Sequence, residues 1–260
     1  MRAPLSSPSS QTTSLPRAGH CDYRTLWHAL LNGEYDTYTQ SMRASSDMEP
    51  RLAMSAIKLR GNARWLFRRS PRFEQTIFVK ARRVEDADAF ERFEGPGDMC
   101  VVSGPPVKGK SSFLNYLLLR YARRRRKVVV HSSVDHRIVS FCVDGTVHVE
   151  DDFDYVHGSK VLDDDVHIFL GNYLETGVPL TSYIAHDNCA SVSFVPLGAF
   201  LDDVNAIRRI AHVSLGDALM WTPDELCYAG MFADPPMDES LCRSLYESCL
   251  RNDLREFFER

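Results

Sequence analysis

The sequence predicts an α/β protein in which a largely parallel sheet is flanked by helices and followed by a small helical part at the carboxyl end. Two observations carry this prediction. Short apolar runs, typical of buried strands, alternate with segments of helical period across 75–215. A glycine-containing turn also joins one apolar run, Met99–Val102, to a segment with an apolar helical stripe, Ser111–Ala122.

The individual elements follow from the spacing of their apolar residues. Helices are expected where apolar residues recur every three or four positions, and strands where β-branched and aromatic residues form short runs. Asp144-Gly145 is a strong hairpin signal between two such runs. Helices are therefore predicted over 22–31, 49–59, 84–93, 111–122 and 161–175, and strands over 76–80, 99–102, 127–131, 137–143, 146–149, 182–185 and 191–195.

Composition narrows the class of protein. Of the 260 residues, 44% are hydrophobic and 25% are charged, which is typical of a globular chain and excludes wholesale disorder. No apolar run approaches the ~18–20 residues that a membrane helix needs, so no membrane span is expected. The seven cysteines contain no C-x-x-C pair, so we expect free thiols rather than a disulfide framework or a zinc module.

Four regions are expected along the chain. Residues 1–20 are rich in Ser, Pro and Thr and are predicted to be a disordered tail without a visible signal peptide. Residues 21–74 are predicted to form an N-terminal helical region, 75–215 the core, and 216–260 the C-terminal helical part. In the last region Thr222-Pro-Asp-Glu225 fits a capping box with proline at the first helical position.

The segment from Gly104 to Ser111 matches the phosphate-binding pattern G-x-x-x-x-G-K-[ST] and lies between a predicted strand and a predicted helix. Glycines let backbone N–H groups curl around phosphate oxygens, and the helix directs its positive end at the same anion. Lys110 is expected to neutralise the β- and γ-phosphates and Ser111 to bind Mg²⁺. The predicted nucleotide-binding residues are Gly104, Lys108, Gly109, Lys110, Ser111 and Ser112. The pattern predicts a P-loop NTPase with ATP or GTP as its ligand.

A carboxylate at the end of a neighbouring strand should complete the metal site. Asp144 follows the most apolar run, but Gly145 makes a hairpin turn the simpler explanation. Asp163–Asp165 stand at the beginning of a predicted helix, where they fit either a cap or solvated acids. Asp187 ends the short run Tyr183-Ile-Ala-His-Asp187. The spacing alone does not decide which of these three candidates supplies the metal carboxylate.

Several segments together resemble the P-loop NTPase module of Crinkler-type effectors of oomycetes and chytrids, which the retrotransposon hot spot proteins of trypanosomes share. These segments are TIFVKARRVEDADAFERF, CVVSGPPVKGKSSFLNYLLLRYARRRRKVVVHSS, SYIAHD, SVSFVPL and LMWTPDEL, and they span about 75–260. The resemblance implies that Asp187 is the Walker B carboxylate, so Lys110 and Asp187 become the expected catalytic residues and Ser111 and Asp187 the metal ligands.

The resemblance also implies a secreted effector that acts in a host cell, with the nucleus as one destination. Asn188 stands where hydrolysing relatives often carry Glu, and Asn cannot act as a general base. Slow or no hydrolysis is therefore expected, and a non-hydrolysing protein-interaction module with a degenerate site is the alternative. A small-molecule kinase ranks third. The family's continuation after LREFFER is missing here, which leaves truncation as a further alternative.

Charge is divided unevenly. Residues 1–137 carry a net +11 and 138–260 a net −15. The run Arg123–Lys127 is either a favourable basic end of a helix or a patch for a nucleic acid or host protein. Arg208 and Arg209 are expected on a helix, paired with nearby acids more readily than acting on a phosphate. Cys242 and Cys249, seven apart on a predicted helix, are expected to pack in the core.

Overall fold

The computed structural model describes residues 22–41, 53–66, 71–92, 98–103, 110–132, 137–151, 166–170, 190–195, 209–214 and 221–252. The helices among them are α1 (Tyr23–Asn32), α2 (Ala81–Glu91), α3 (Lys110–Arg123), α4 (Pro223–Gly230) and α5 (Glu239–Asn252), with a short 3₁₀ turn at Pro71–Phe73. The strands are β1 (Tyr35–Ser41), β2 (Ala53–Leu59), β3 (Thr76–Lys80), β4 (Asp98–Ser103), β5 (Val128–Ser132), β6 (Arg137–Phe141), β7 (Val147–Asp151), β8 (Val166–Leu170), β9 (Ala190–Val195) and β10 (Arg209–Ser214).

The predicted architecture of one largely parallel sheet flanked by helices is corrected by the pairing of these strands. The first three strands form a separate sheet, β1-β2-β3, in which both pairings are antiparallel. A second antiparallel unit of three strands, β5-β6-β7, ends the larger sheet, because the Asp144-Gly145 turn folds β7 straight back on β6. Parallel pairing is confined to β10-β4-β9-β8-β5.

Two predicted helices are wrong. Residues 53–59, expected within a helix over 49–59, form β2, and residues 166–170, expected within a helix over 161–175, form β8. Arg209, expected on a helix, begins β10. In each segment the apolar residues form a short run whose spacing does not distinguish a helix from a strand. Pairing with neighbouring strands then decides the conformation. Arg208 and the predicted strand over 182–185 lie outside the described residues.

Strand β1 was not predicted, and with β2 it gives the region 21–74, expected to be helical, two strands. Several other described elements agree with the predicted ones within a few residues. The helix predicted over 22–31 is α1, which Asp22 caps by accepting hydrogen bonds from the backbone N–H groups of Arg24 and Thr25. Gly33 ends the helix at a φ of 70°, a left-handed conformation that favours glycine. The strand predicted over 76–80 is β3, and the helix predicted over 111–122 is α3.

The buried side chains form two clusters on opposite faces of β2 and β3. The large cluster comprises Leu26, Trp27, Ala29, Leu30, Ile57, Leu59, Ala63, Trp65, Leu66, Ile77, Val79, Ala87, Phe90, Phe113, Leu114, Leu117, Leu118, Leu119, Tyr121, Ala122, Val128, Val130, Val139, Phe141 and Val147. The small cluster comprises Met54, Ala56, Phe73, Phe78, Leu226, Tyr228, Ala229, Ala233, Met237 and Cys242. Along β2 and β3 the members alternate between the clusters because successive side chains of a strand point to opposite faces.

Among the described residues, no helix has both the length and the apolar character needed to cross a bilayer.

Candidate functional site

The phosphate-binding motif lies where β4 gives way to α3. The strand ends at Ser103 and the helix begins at Lys110, so the arrangement of strand, short loop and helix that the motif requires is present. Lys110, Ser111 and Ser112 form the first turn of α3, and Ser112 is half-buried. The loop residues Gly104, Lys108 and Gly109 lie outside the described residues, as does Asp187.

Strand order places β4 between two parallel neighbours at this junction. The Cα atoms of Ser103 pair with Val195 of β9 on one side and with Ser214 of β10 on the other. The carboxyl ends of the three strands therefore meet at the edge of the sheet where the motif begins, which is where open parallel sheets bind ligands. The position of Ser214 beside the motif could not be read from the sequence, because strand order is not encoded locally.

The helix that follows the motif is fixed by its apolar face. Phe113, Leu114, Leu117, Leu118 and Tyr121, the stripe that the sequence predicted to point inward, are all buried in the large cluster. The ring of Phe113 meets that of Phe90 of α2 edge to face, with 6.2 Å between centroids. Burial of this stripe fixes α3 in the large cluster.

Asn115 adds a polar clamp to this apolar face. Its side chain is fully buried, and its amide oxygen accepts a hydrogen bond from the backbone N–H of Leu66 at 3.0 Å. Its amide nitrogen donates to the backbone carbonyl of Leu66 at 2.8 Å. One side chain thus satisfies both backbone groups of a buried residue 49 positions away. The clamp ties α3 to the segment that follows β2.

Charged contacts join α2 to α3. The guanidinium of Arg120 on α3 bonds Asp88 and Glu91 of α2, each at 2.6 Å. Near the first turn of α3, the guanidinium of Arg83 lies 5.8 Å from the centroid of the Phe113 ring and pairs with Asp86 at 2.5 Å. Burial lowers the pKa of Arg83, although the charge of Asp86 opposes this shift. A desolvated cation therefore lies over the ring of Phe113, which follows the motif lysine by three residues on α3.

Asp144, one of the three candidate metal carboxylates, is a turn residue. It is exposed, and its carboxylate accepts hydrogen bonds from the backbone N–H and the hydroxyl of Thr146 at 2.9 and 2.6 Å. These bonds lower the pKa of Asp144, the hydroxyl of Thr146 being the largest cause. Gly145 follows with a φ of 90°. The hairpin explanation of Asp144 is confirmed, and Asp163–Asp165 lie outside the described residues.

The basic run at the end of α3 is engaged within the chain. Arg123 donates to the hydroxyl of Tyr35 at 2.8 Å, and Arg124 pairs with Glu91 at 2.5 Å. Arg125 has a φ of 50°, and the backbone N–H of Arg126 bonds the carbonyl of Tyr121 at 3.0 Å, which together form a left-handed helix cap. The reading of these arginines as a favourable helix end therefore has direct structural support.

The capping box predicted at the start of the C-terminal part is confirmed. The hydroxyl of Thr222 accepts from the N–H of Glu225, and the Glu225 carboxylate accepts from the N–H of Thr222 at 2.8 Å. The same carboxylate pairs with Lys80 at 2.7 Å. The ammonium of Lys80 lies 5.3 Å from the ring centroid of Trp221, which packs edge to face on Phe78. Sequence reasoning missed this ion pair because its partners are 145 residues apart.

Over the ranges described, no group of three or more His, Cys, Asp or Glu is arranged to hold a metal ion. Of the residues predicted to bind the nucleotide and its metal ion, the structure describes Lys110, Ser111 and Ser112 in the first turn of α3.

No protein-family model matches this chain, and no curated protein matches it.

Proposed function

We propose that this chain binds a nucleoside triphosphate, as its Mg²⁺ complex, where β4 meets α3, and that hydrolysis there is slow or absent. The observation that carries the proposal is the position of the sequence motif. G-x-x-x-x-G-K-S spans Gly104–Ser111, directly between a strand that ends at Ser103 and a helix that begins at Lys110. Few local arrangements other than phosphate binding require these residue types at these positions.

The helix that follows supports this proposal electrostatically. The aligned peptide dipoles of α3 put about half a positive elementary charge at its first turn. Its free backbone N–H groups and the ammonium of Lys110 add donors for phosphate oxygens. The apolar stripe and the Asn115 clamp fix α3 against the rest of the chain.

In this proposal Ser111 and Asp187 would hold the Mg²⁺ ion, which neutralises phosphate charge when bound. A hydroxyl and a carboxylate are oxygen ligands of the kind that Mg²⁺ prefers. Asn188 follows Asp187, and an amide cannot take a proton from water. Bound nucleotide would therefore persist, which favours a nucleotide-dependent binding module over a fast enzyme. That the chain is a Crinkler-like effector remains a proposal, which rests only on the sequence segments that resemble the NTPase module of those effectors.

A non-hydrolysing interaction module without nucleotide is the second candidate. The observation that favours it is the loop sequence itself. Pro105 and Pro106 lack backbone N–H groups, so the loop offers fewer donors to a phosphate than the motif allows.

The experiment is a titration of the purified chain with a fluorescent ATP analogue, with and without Mg²⁺. Lys110→Ala should weaken binding roughly 30- to 150-fold, because a charge-assisted bond contributes about 2–3 kcal/mol. Lys58→Ala is the matched control, since Lys58 is exposed on β2 and should leave affinity unchanged. Competition by GTP, read in the same titration, gives the base preference.

Phosphate release in the same samples separates the candidates. Mg²⁺-dependent binding without measurable release supports the nucleotide-held module. Equal affinity of the wild type and Lys110→Ala would contradict the proposed site, and absence of binding would favour the second candidate. Asp187→Asn should reduce the Mg²⁺ dependence, whereas Asp144→Asn, which retains an acceptor for Thr146, should not.

A further inference from the structure

Two thiols meet where α4 packs against α5. Cys242 of α5 is fully buried in the small cluster, and Cys227 of α4 is half-buried beside it. Each thiol influences the pKa of the other, so the two sulfur atoms are neighbours. The Cys227 thiol also donates to the backbone carbonyl of Glu239, with 3.9 Å between sulfur and oxygen. Glu239 lies three residues before Cys242, so both contacts use one face of α5.

The close approach of the sulfurs is built into the backbone. Gly230 lies three residues after Cys227 on the same face of α4. A Cβ added at Gly230 would stand 2.5 Å from Sγ of Cys242, a distance that no real side chain tolerates. The absence of a side chain at Gly230 thus lets the Cys242 sulfur rest on α4 within reach of Cys227.

Such a pair of thiols is better suited to forming a disulfide than to binding a metal ion. Zinc needs four ligands or an open fourth position, and in the part of the chain that the structure describes no third His, Cys, Asp or Glu joins the pair in a metal-binding group. We propose that Cys227 and Cys242 are a modification site, at which a small disulfide such as glutathione disulfide oxidises them to an intramolecular disulfide that joins α4 to α5.

The exchange proceeds in two balanced steps. Cys227, the more exposed thiol, loses its proton to solvent and attacks one sulfur of glutathione disulfide, which forms a mixed disulfide and releases one glutathione thiolate. Cys242 then loses its proton and attacks the Cys227 sulfur, which releases the second glutathione. The protein loses two electrons and two protons, and one glutathione disulfide becomes two glutathione molecules.

The surroundings make this reaction slow at neutral pH. Burial raises the pKa of Cys227 above its usual value, and burial together with the Cys227 thiol raises the pKa of Cys242 to about 11. Only the thiolate attacks, so below these pKa values the rate should rise about tenfold for each pH unit. The site therefore stays reduced through brief exposure to oxidant and closes during long exposure or at alkaline pH.

The test uses the full chain, incubated with excess glutathione disulfide at about pH 7 and about pH 9 and then alkylated and digested with trypsin. Cleavage after Arg209 and Arg243 yields a peptide, 210–243, in which Cys227 and Cys242 are the only cysteines. The expected product is this peptide without alkyl groups and two hydrogens lighter than its reduced form. It should accumulate about 100-fold faster at the higher pH.

Two single variants keep the proposal falsifiable. Cys242→Ser should stop at a stable glutathione adduct on Cys227, and Cys227→Ser should leave Cys242 unmodified in the folded chain. Cys142, half-buried near the β6–β7 hairpin, serves as an internal reference thiol. A persistent glutathione adduct on Cys227 of the wild type, or a bridge from either cysteine to Cys249, would overturn the proposal.

Discussion

The two clusters on either face of the β1-β2-β3 sheet are held together in different ways. The large cluster buries aliphatic and aromatic side chains around α3, and the neutral clamp from Asn115 to Leu66 is one of its buried polar contacts. The small cluster has two fifths as many residues, and at its border Lys80 and Glu225 form an ion pair with side chains 12% and 4% exposed.

This difference indicates which substitutions should destabilise each cluster most. A large apolar cluster tolerates the loss of a surface charge but not of a buried hydrogen-bonding partner, which would leave backbone groups without water or bond. A small cluster closed by an ion pair depends on both charges, because removal of one leaves the other desolvated. The clusters should therefore respond differently to substitutions that alter charge alone.

The largest effect is expected at Glu225. Glu225→Gln keeps the shape and the capping contact to Thr222 but leaves the Lys80 ammonium buried without its counter-charge. Loss of about 3–5 kcal/mol of unfolding free energy is expected, as for other broken buried pairs. Urea denaturation followed by circular dichroism measures it.

The control for this prediction is a surface ion pair between α4 and α5. Arg243 pairs with Glu239 and Asp224, and all three side chains are about half exposed or more. Arg243→Gln should leave the denaturation midpoint nearly unchanged because exposed pairs contribute little. Equal losses for Glu225→Gln and Arg243→Gln would contradict a special role of the buried pair.

The second largest loss of stability is expected when the Asn115 clamp of the large cluster is removed. Asn115→Ala leaves the buried N–H and carbonyl of Leu66 without partners, which should cost about 2–4 kcal/mol. Asn32→Ala is the matched control, since Asn32 is exposed in the last turn of α1 and bonds only the nearby Glu34. A shift in the urea midpoint of similar size for both variants would refute the clamp.

The smallest change in stability, and the only increase among these predictions, is expected for a substitution at Arg125. This residue caps α3 in the left-handed region, where side chains other than glycine are strained. Arg125→Gly should raise the free energy of unfolding by about 1 kcal/mol, measured as a higher melting temperature. Arg125→Ala keeps the strain and should bring no gain, so an equal rise in both variants would point to charge instead of conformation.

The two clusters also differ in how far the sequence predicted them. The inward face of α3 was predicted residue by residue, because a helical stripe such as Phe113, Leu117 and Tyr121 is a local signal. The capping box at Thr222 was equally local. The ion pair of Lys80 and Glu225, and the packing of the C-terminal helices on β2 and β3, join segments far apart in the chain and have no local signal.

Four of the described strands, β1, β2, β8 and β10, were missed. Residues 53–59 contain good helix formers, yet burial on both faces of a sheet makes them a strand. The polar strand β1, Tyr35–Ser41, was missed because its side chains are mostly exposed and show no apolar alternation. Of the candidate site, the position of the motif between strand and helix followed from the sequence, whereas the neighbours of β4 depended on strand order.

The most direct test of the account is amide hydrogen exchange of the full chain, read by mass spectrometry with and without ATP and Mg²⁺. Binding at the junction of β4 and α3 predicts protection concentrated in peptides that cover Gly104–Ser112 and lost in Lys110→Ala, because nucleotide would occupy the backbone N–H groups there. Protection confined to other segments, or none when nucleotide is shown to bind, would contradict the proposed site.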